Sequence, residues 1–313
     1  MNSLPQPDKI LTHESDLDGL LSGLLLQRLA KHIFHKEILL EAWNYTGWKM
    51  RPMREKSAWV CDLSFESRLD QDNWVIIDHH TTNDTAERAH LIHDLEKSAS
   101  LLCYELCQQH GVQSEALDRI VHLSNIADLY LEKDPEFDLA VDYANLVKAY
   151  GFWNLHSLIN GDPEKLLDHS LLEVIRTKRK IEDPIGLAWT RRHLHRLSDT
   201  VGFAETVVGD VNSIVHNLLG EPDAKYKVLV TMFTKANRTV MASFRSLNGE
   251  ALGIARQFQG GGHANACGAT LPKAVSSVDE AIVYMRQILN PTPAKGAGLA
   301  SLESAFAALD KLN

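Results

Sequence analysis

Asp78, His79 and His80 follow directly on the apolar run Trp74-Val75-Ile76-Ile77. A carboxylate and two imidazoles delivered to one point suit a divalent cation, which a neutral imidazole ligates well. Taken alone, the tripeptide reads better as a strand followed by a polar loop. The arrangement recurs, however. Trp59-Val60-Cys61 ends in Asp62, and Lys9 to Thr12 runs into His13, Asp16 and Asp18. Asp16 and Asp18, two apart in an extended loop, point the same way, and Gly19 permits a tight turn. Helix capping accounts for one of these acids but less well for both plus His13. Asp128 lies among Ile126, Ala127 and Leu129, where an unpaired carboxylate is costly. Its bland alternative is a surface turn before Glu132-Lys133-Asp134-Pro135. Two carboxylates about 4 Å apart repel by roughly 4 kcal/mol at an effective dielectric of 20. Several together call for cations or raised pKa values, and a divalent metal is the economical answer.

The elements that must position these residues are short strands at Lys9 to Thr12, Glu37 to Trp43, Trp59 to Cys61 and Trp74 to Ile77. Helical or loop segments separate them, with a helix over Leu20 to His32, which implies a parallel α/β sheet. Ligands of such sheets bind beyond the carboxyl ends of the strands, where the acids would converge. Helices are expected over Ser98 to His110 and Ser114 to Asn125, with Ser98 as N-cap and Gly111 as stop. Residues 138–198 read as mostly helical. Arg176 to Arg196 there holds seven basic residues against two acids, read as a solvated helix face or a path for a polyanion. Pro184-Ile185-Gly186 interrupts this stretch as a hinge candidate. Beyond Gly202 the pattern predicts a strand at Thr206 to Val208 and a helix at Val211 to Leu219. Paired strands follow at Tyr226 to Phe233 and Thr239 to Phe244, then a helix at Glu250 to Phe258. The run Gly260-Gly261-Gly262-His263-Ala264-Asn265 exposes backbone N–H groups and brings His263 and Asn265 toward a ligand. It reads otherwise as a flexible hairpin. Neither a Walker A loop nor a dinucleotide-binding glycine fingerprint is present. The last stretch is a Pro/Gly/Ala linker and a helix-like segment, Leu299 to Leu312.

The 313 residues suffice for two domains with cores, and a formal net charge of −9 argues against coating long duplex nucleic acid. Four cysteines without zinc-type spacing point to a reduced, cytoplasmic compartment. No signal peptide is read, and Leu20 to Leu29 is far short of a membrane span.

Assembled, these residues resemble the DHH phosphoesterase superfamily, in the branch with a C-terminal DHH-associated domain that includes RecJ-type exonucleases and nanoRNases. Ser243-Phe244-Arg245-Ser246, Ile254-Ala255, Phe258 and Gly260-Gly261-Gly262-His263 follow the associated domain's pattern in order. The resemblance runs from about Lys9 to Pro272. It implies an α/β fold: a parallel-sheet catalytic domain with helices on both faces (1–145) and a helical linker (146–200). A smaller mixed α/β substrate-binding domain (201–290) and a tail (291–313) complete the expected order. It implies two Mn²⁺ ions, with Mg²⁺ or Co²⁺ as substitutes. One would be held by Asp16, Asp62 and His13, and the other by Asp18, Asp62, His79 and Asp128, with Asp62 bridging. Several relatives place the histidine four residues before the first Asp, whereas His13 precedes Asp16 by three, so a capping role for His13 stays open. His80 would face the scissile phosphate and Asp78 would orient the imidazoles. Arg245, Gly260, Gly261, Gly262, His263 and Asn265 would grip the substrate from across an interdomain cleft.

The implied reaction is attack of a metal-activated water on phosphorus, releasing mononucleotides or phosphate from short oligonucleotides or nucleotide bisphosphates. Cyclic-dinucleotide hydrolysis, RecJ-like single-strand exonuclease action and polyphosphate trimming are alternative activities, and a nucleotide-binding sensor is the non-enzyme alternative. The expected partner is a short single-stranded oligonucleotide or nucleotide. A homodimer is admitted; long duplexes and membranes are not.

Overall fold

The computed structural model describes residues 4–82 and 84–291. The expected tail helix, Leu299 to Leu312, and all but residue 291 of the expected tail domain lie outside them. The chain divides into two compact units, Met1–Ile181 and Glu182–Asn313.

The first unit comprises β1 (Lys9–His13), α1 (Leu17–Phe34), β2 (Leu39–Trp43), α2 (Tyr45–Met50), β3 (Ala58–Cys61), β4 (Trp74–Asp78) and β5 (His90–His93). Helices α3 (Ala99–Gln109), α4 (Glu115–Asp128), α5 (Phe137–Tyr150) and α6 (Phe152–Leu158) follow, and then the start of α7 (Ser170–Arg192). Its five strands are all parallel, in the order β2-β1-β3-β4-β5. Alternation sorts their side chains to two faces. Ile10, Trp59, Cys61, Val75 and Ile77 join α1 and α3 to α6 in one core. Leu11, Ala58, Val60, Trp74 and Ile76 face the other way, where they pack with Trp48 of α2, Phe65 and Leu69. Phe152, Leu155, Ile159, Leu166, Leu172 and Ile175, in the segment expected as a linker, belong to the first core.

The second unit contains the end of α7 and then β6 (Leu194–Arg196), β7 (Val201–Ala204), α8 (Val211–Leu219), β8 (Val228–Thr234) and β9 (Val240–Arg245). It closes with α9 (Glu250–Arg256), β10 (Gly261–His263), β11 (Ala266–Thr270) and α10 (Val278–Leu289). These strands form a mixed sheet in the order β10-β11-β9-β8-β7-β6, antiparallel except for β7 with β8.

Several local expectations are corrected. The predicted strand at Thr206 to Val208 is irregular, and Val207 is exposed. The pairing position beside β8 is taken instead by the four buried residues of β7. Pro184 does not interrupt the chain, because α7 runs through it. Both Pro184 and Lys180, whose carbonyl loses its helical donor there, are exposed, so water can serve that carbonyl. Gly186 is required by contact: a Cβ there would lie 2.0 Å from the Val208 carbonyl oxygen. In the basic stretch, Arg176 and Arg179 pair with Asp142, Arg191 with Glu221, and Arg196 with Asp199, each within its own unit. The strand β5 was not foreseen; it is a four-residue edge strand with histidine at both ends.

Candidate metal centre

At the carboxyl end of β1 the chain turns sharply into α1. Asp16 caps that helix, its Oδ1 accepting from Gly19 N at 3.0 Å, while its Oδ2 lies 3.0 Å from His13 Nδ1. The capping and clustering roles of Asp16 therefore coexist. Gly19 is helical, and its need for glycine comes from contact, since a Cβ there would sit 2.2 Å from the His13 carbonyl oxygen. Asp18 is buried at 2% exposure, and its two carboxylate oxygens accept from Ala99 N and Ser100 N at 2.9 and 2.8 Å. The carboxylate thus sits on the first amides of α3, where orphan N–H groups and the helix dipole favour negative charge.

Strand β3 ends at Cys61, and Asp62 adopts a left-handed backbone, φ 55°, while its N–H still bonds to Ile77 O at 3.0 Å. Asp tolerates this conformation better than most residues, and the turn aims its side chain off the strand end. Asp62 Oδ2 lies 3.6 Å from His13 Nδ1, and Oδ1 lies 3.6 Å from His79 Nε2. The same His79 nitrogen is 3.4 Å from Asp128 Oδ2 and 3.9 Å from Asp18 Oδ2. Asp128 ends α4 and is not in a loose turn: Tyr130 takes a left-handed φ of 54°, and Leu131 N returns to Ile126 O at 2.9 Å. That is the hydrogen bond of a Schellman stop. Its side chain keeps 23% exposure at the rim.

Two donor groups result, each with ligand atoms mutually within 4.8 Å: His13, Asp16 and Asp62; and Asp18, His79 and Asp128. Asp62 presents one oxygen to each. All six residues predicted as metal ligands are brought together, His13 included.

The electrostatics are those of a surplus of negative charge. Burial, then the Asp62 charge, raises the Asp18 carboxyl to about 6. Burial together with Asp18 and Asp62 pushes Asp128 well above the carboxylate range. Burial alone would lower His13, yet Asp16 and Asp62 raise it to about 11; Asp62 and Asp18 likewise raise His79. For Asp62 burial acts upward, but the two imidazoles prevail and hold it below its ordinary value. The donor set thus draws in positive charge wherever it is available. Asp62 Oδ2 is also buried and makes no hydrogen bond among the described residues. Such an atom normally costs about 1–3 kcal/mol or more. Four carboxylates, one with a buried oxygen that accepts no hydrogen bond among the described residues, and two imidazoles fit a pair of divalent cations, whose charge would balance Asp16, Asp18, Asp62 and Asp128.

Asp78 is fully buried and stands behind this set. Its Oδ1 pairs with His80 Nδ1 at 2.7 Å and its Oδ2 accepts from Phe65 N at 3.2 Å. Burial lowers the His80 pKa, but the Asp78 bond more than offsets it and brings it to about 9. One contact was not foreseen: His93 Nε2 lies 2.7 Å from His80 O. A carbonyl only accepts, so that nitrogen carries the proton. The only sequence signal for it was the short run His90-Leu91-Ile92-His93.

In the second unit, Arg245 ends β9, bonded to Phe244 O and to Asn212 Oδ1 at 3.1 and 3.2 Å. The glycine run is a hairpin, β10 to β11. Gly260 and Gly262 are required there, because a Cβ would lie 2.6 Å from Gly268 O and 2.5 Å from Ala266 O. Gly261 opens onto free space. Asn265 Oδ1 accepts from Ser246 Oγ and Gly249 N at 3.0 and 2.5 Å, which ties the hairpin to the turn before α9. His263 closes β10.

Residues 202–290 match the family model of the DHHA1 domain. No curated protein sequence matches the chain. Among solved structures it is similar to PggH, a pGpG-specific phosphodiesterase from Vibrio cholerae, with TM-score 0.51 and 12% identity over 90% of this chain and 100% of that one. RecJ in complex with Mn²⁺ from Thermus thermophilus gives TM-score 0.51 and 16% identity over 92% of this chain and 53% of that one, so the chain spans about half of that protein. An exonuclease RecJ bound to manganese gives TM-score 0.50 and 14% identity over 93% of each chain. At these identities the likeness establishes the fold.

Proposed function

We propose that this DHH-superfamily chain, with its C-terminal DHHA1 domain, is a manganese-dependent phosphoesterase of short oligonucleotides or nucleotide bisphosphates. The observation that carries this reading is Asp62, buried between two donor groups with one oxygen toward each. His13, Asp16 and Asp62 would hold one cation; Asp18, Asp62, His79 and Asp128 would hold the other. When bound, such a pair supplies an activated water and neutralises charge developing on the phosphoryl oxygens. Imidazole donors favour Mn²⁺ over the oxygen-preferring Mg²⁺, with Co²⁺ a chemically suitable substitute.

The chain's own groups supply the remaining roles. Asp78 holds the tilt of His80 through Nδ1, and its Nε2 is proposed to face the scissile phosphate. Arg245, Gly260, Gly261, Gly262, His263 and Asn265 are assigned to substrate binding. Small substrates are favoured by the likeness to a pGpG-specific phosphodiesterase, which is matched over its whole length. The four free, buried cysteines accord with a cytoplasmic setting, and among the described residues no helix is long and apolar enough to cross a membrane.

The test is a Mn²⁺ assay offering a labelled dinucleotide, a cyclic dinucleotide, a nucleotide bisphosphate and polyphosphate side by side. Turnover of the dinucleotide or bisphosphate, abolished in Asp62→Ala at any Mn²⁺ concentration, is the expected result. Substantial hydrolysis by Asp62→Ala contradicts it, and product from none of the four favours a nucleotide-binding sensor.

A further inference from the structure

The short helix α2 has so far served only to cover one face of the sheet, yet it is tied to the loop that carries His13, Asp16 and Asp18. Strand β2 runs beside β1 with Trp43 opposite His13, and Glu14 N donates to Trp43 O at 3.1 Å. Asn44 then caps α2 by accepting from Gly47 N and donates its amide to Glu14 Oε1, both at 2.9 Å. Neighbouring strands lie about 4.8 Å apart and residues span at most about 3.6 Å each, so the Tyr45 backbone is within roughly 12 Å of His13.

The three aromatic residues here differ in what covers them. The Arg51 guanidinium lies over Trp43 and that of Arg68 over Trp48, and Trp48 is 1% exposed. Tyr45 is 57% exposed, and Lys49 Nζ lies 4.3 Å from its ring centroid. The ammonium occupies one face of the phenol ring. The exposure follows the carboxyl end of β2, the strand that pairs with β1 at His13. A single exposed aromatic is ordinary on a protein surface. This one is held by a capped turn, backed by a cation, and latched through Asn44 and Glu14 to the proposed metal loop.

We propose that Tyr45, backed by Lys49, is a stacking platform for a nucleobase of the substrate, so that the site reads a base as well as a phosphate. This rests on the phosphoesterase reading above. Stacking of a base on an aromatic side chain is sequence-tolerant, because every base has a π-face. A cation behind the ring adds attraction for the phosphate that accompanies the base. Met50, at the end of α2 and 82% exposed, makes a second copy of the chain the rival occupant.

The experiment compares the full-length wild type, Tyr45→Ala and Tyr45→Trp on a dinucleotide and on an abasic dinucleotide with the same sugar–phosphate backbone. The readout is the ratio of kcat/KM for the two substrates. Tyr45→Ala is expected to lose about 5- to 150-fold of the wild-type preference for the base-bearing substrate, and Tyr45→Trp to retain it. An unchanged ratio in Tyr45→Ala overturns the platform, as does a change in oligomeric mass with the ratio unchanged. Calorimetric binding of adenosine 5′-monophosphate in Mn²⁺ separates the two claims. If the wild type turns over no substrate, the phosphoesterase reading fails, and the platform still stands or falls on this arm. Weaker binding by Tyr45→Ala supports the platform; equal binding, or none by the wild type, overturns it.

Discussion

At the residue scale, single side chains here serve two partners at once. Asp16 caps α1 and meets His13; Asp18 seats the amides that open α3 and faces His79. Asp78 shows why its type matters. One oxygen engages His80 Nδ1 and the other receives the Phe65 N–H, so both positions require an acceptor. In Asp78→Asn the amide must turn its –NH₂ toward one of them. Toward Phe65 it would oppose donor to donor, so it turns toward His80 and forces the proton off Nδ1. Phosphodiester turnover by Asp78→Asn should fall by about 10- to 100-fold with the fold retained, since supporting partners of metal sites carry that magnitude. Steady-state kinetics beside a circular dichroism spectrum check this. These roles were partly legible. The acids at strand ends announced a cluster of carboxylates, but the seat of Asp18 on α3 joins residues some 80 positions apart, which no local pattern encodes.

At the element scale, the sheet is what gathers the site. Parallel strands leave all their carboxyl ends at one edge, and the alternation of Trp59-Val60-Cys61 and Trp74-Val75-Ile76-Ile77 fixes which side chains go to which core. Apolar runs ending in acids made β3 and β4 readable from sequence. Strand β5 escaped because an edge strand of four residues with histidine at its ends lacks a buried apolar run. The continuity of α7 through Pro184 also escaped, because the cost of a proline depends on whether water reaches the freed carbonyl. Packing of α1 against β1 sets the position of His13. Gly19→Ala inserts a methyl 2.2 Å from the His13 carbonyl. It should destabilise the fold by about 1–3 kcal/mol, as overpacking does, and weaken Mn²⁺ binding by displacing His13. Denaturant titration and Mn²⁺ calorimetry would show the two losses together; a Gly19→Ala protein with wild-type stability would contradict this packing.

At the scale of the whole molecule, the chain forms two compact units, Met1–Ile181 and Glu182–Asn313, each with its own core. The packing of residues 152–175 into the first core is not legible in the sequence, since a helix's apolar stripe does not name the surface it will meet. The first unit is also braced by charge. Arg51, 7% exposed, bonds Glu55 at 2.6 Å and Glu41 at 3.0 Å, and Lys9 reaches Glu41 at 2.5 Å. The Arg51 hydrogen bonds hold the Glu55 carboxyl at about 2 against an ordinary 4.5. A depressed folded-state pKa adds stability that is complete above about pH 4.5 and is lost as pH falls toward about 2. Glu55→Gln should therefore melt below the wild type at pH 7, and the two curves should converge as pH approaches 2. A gap that stays constant across that range would assign the effect to packing.

The central claim is a pair of cations bridged by Asp62. Its most direct test is the electron paramagnetic resonance spectrum of the chain loaded with two equivalents of Mn²⁺, wild type beside Asp62→Ala. An exchange-coupled two-manganese signal is expected in the wild type and is expected to be absent in Asp62→Ala. An uncoupled single-ion spectrum in the wild type, or a coupled signal that survives in Asp62→Ala, would contradict it.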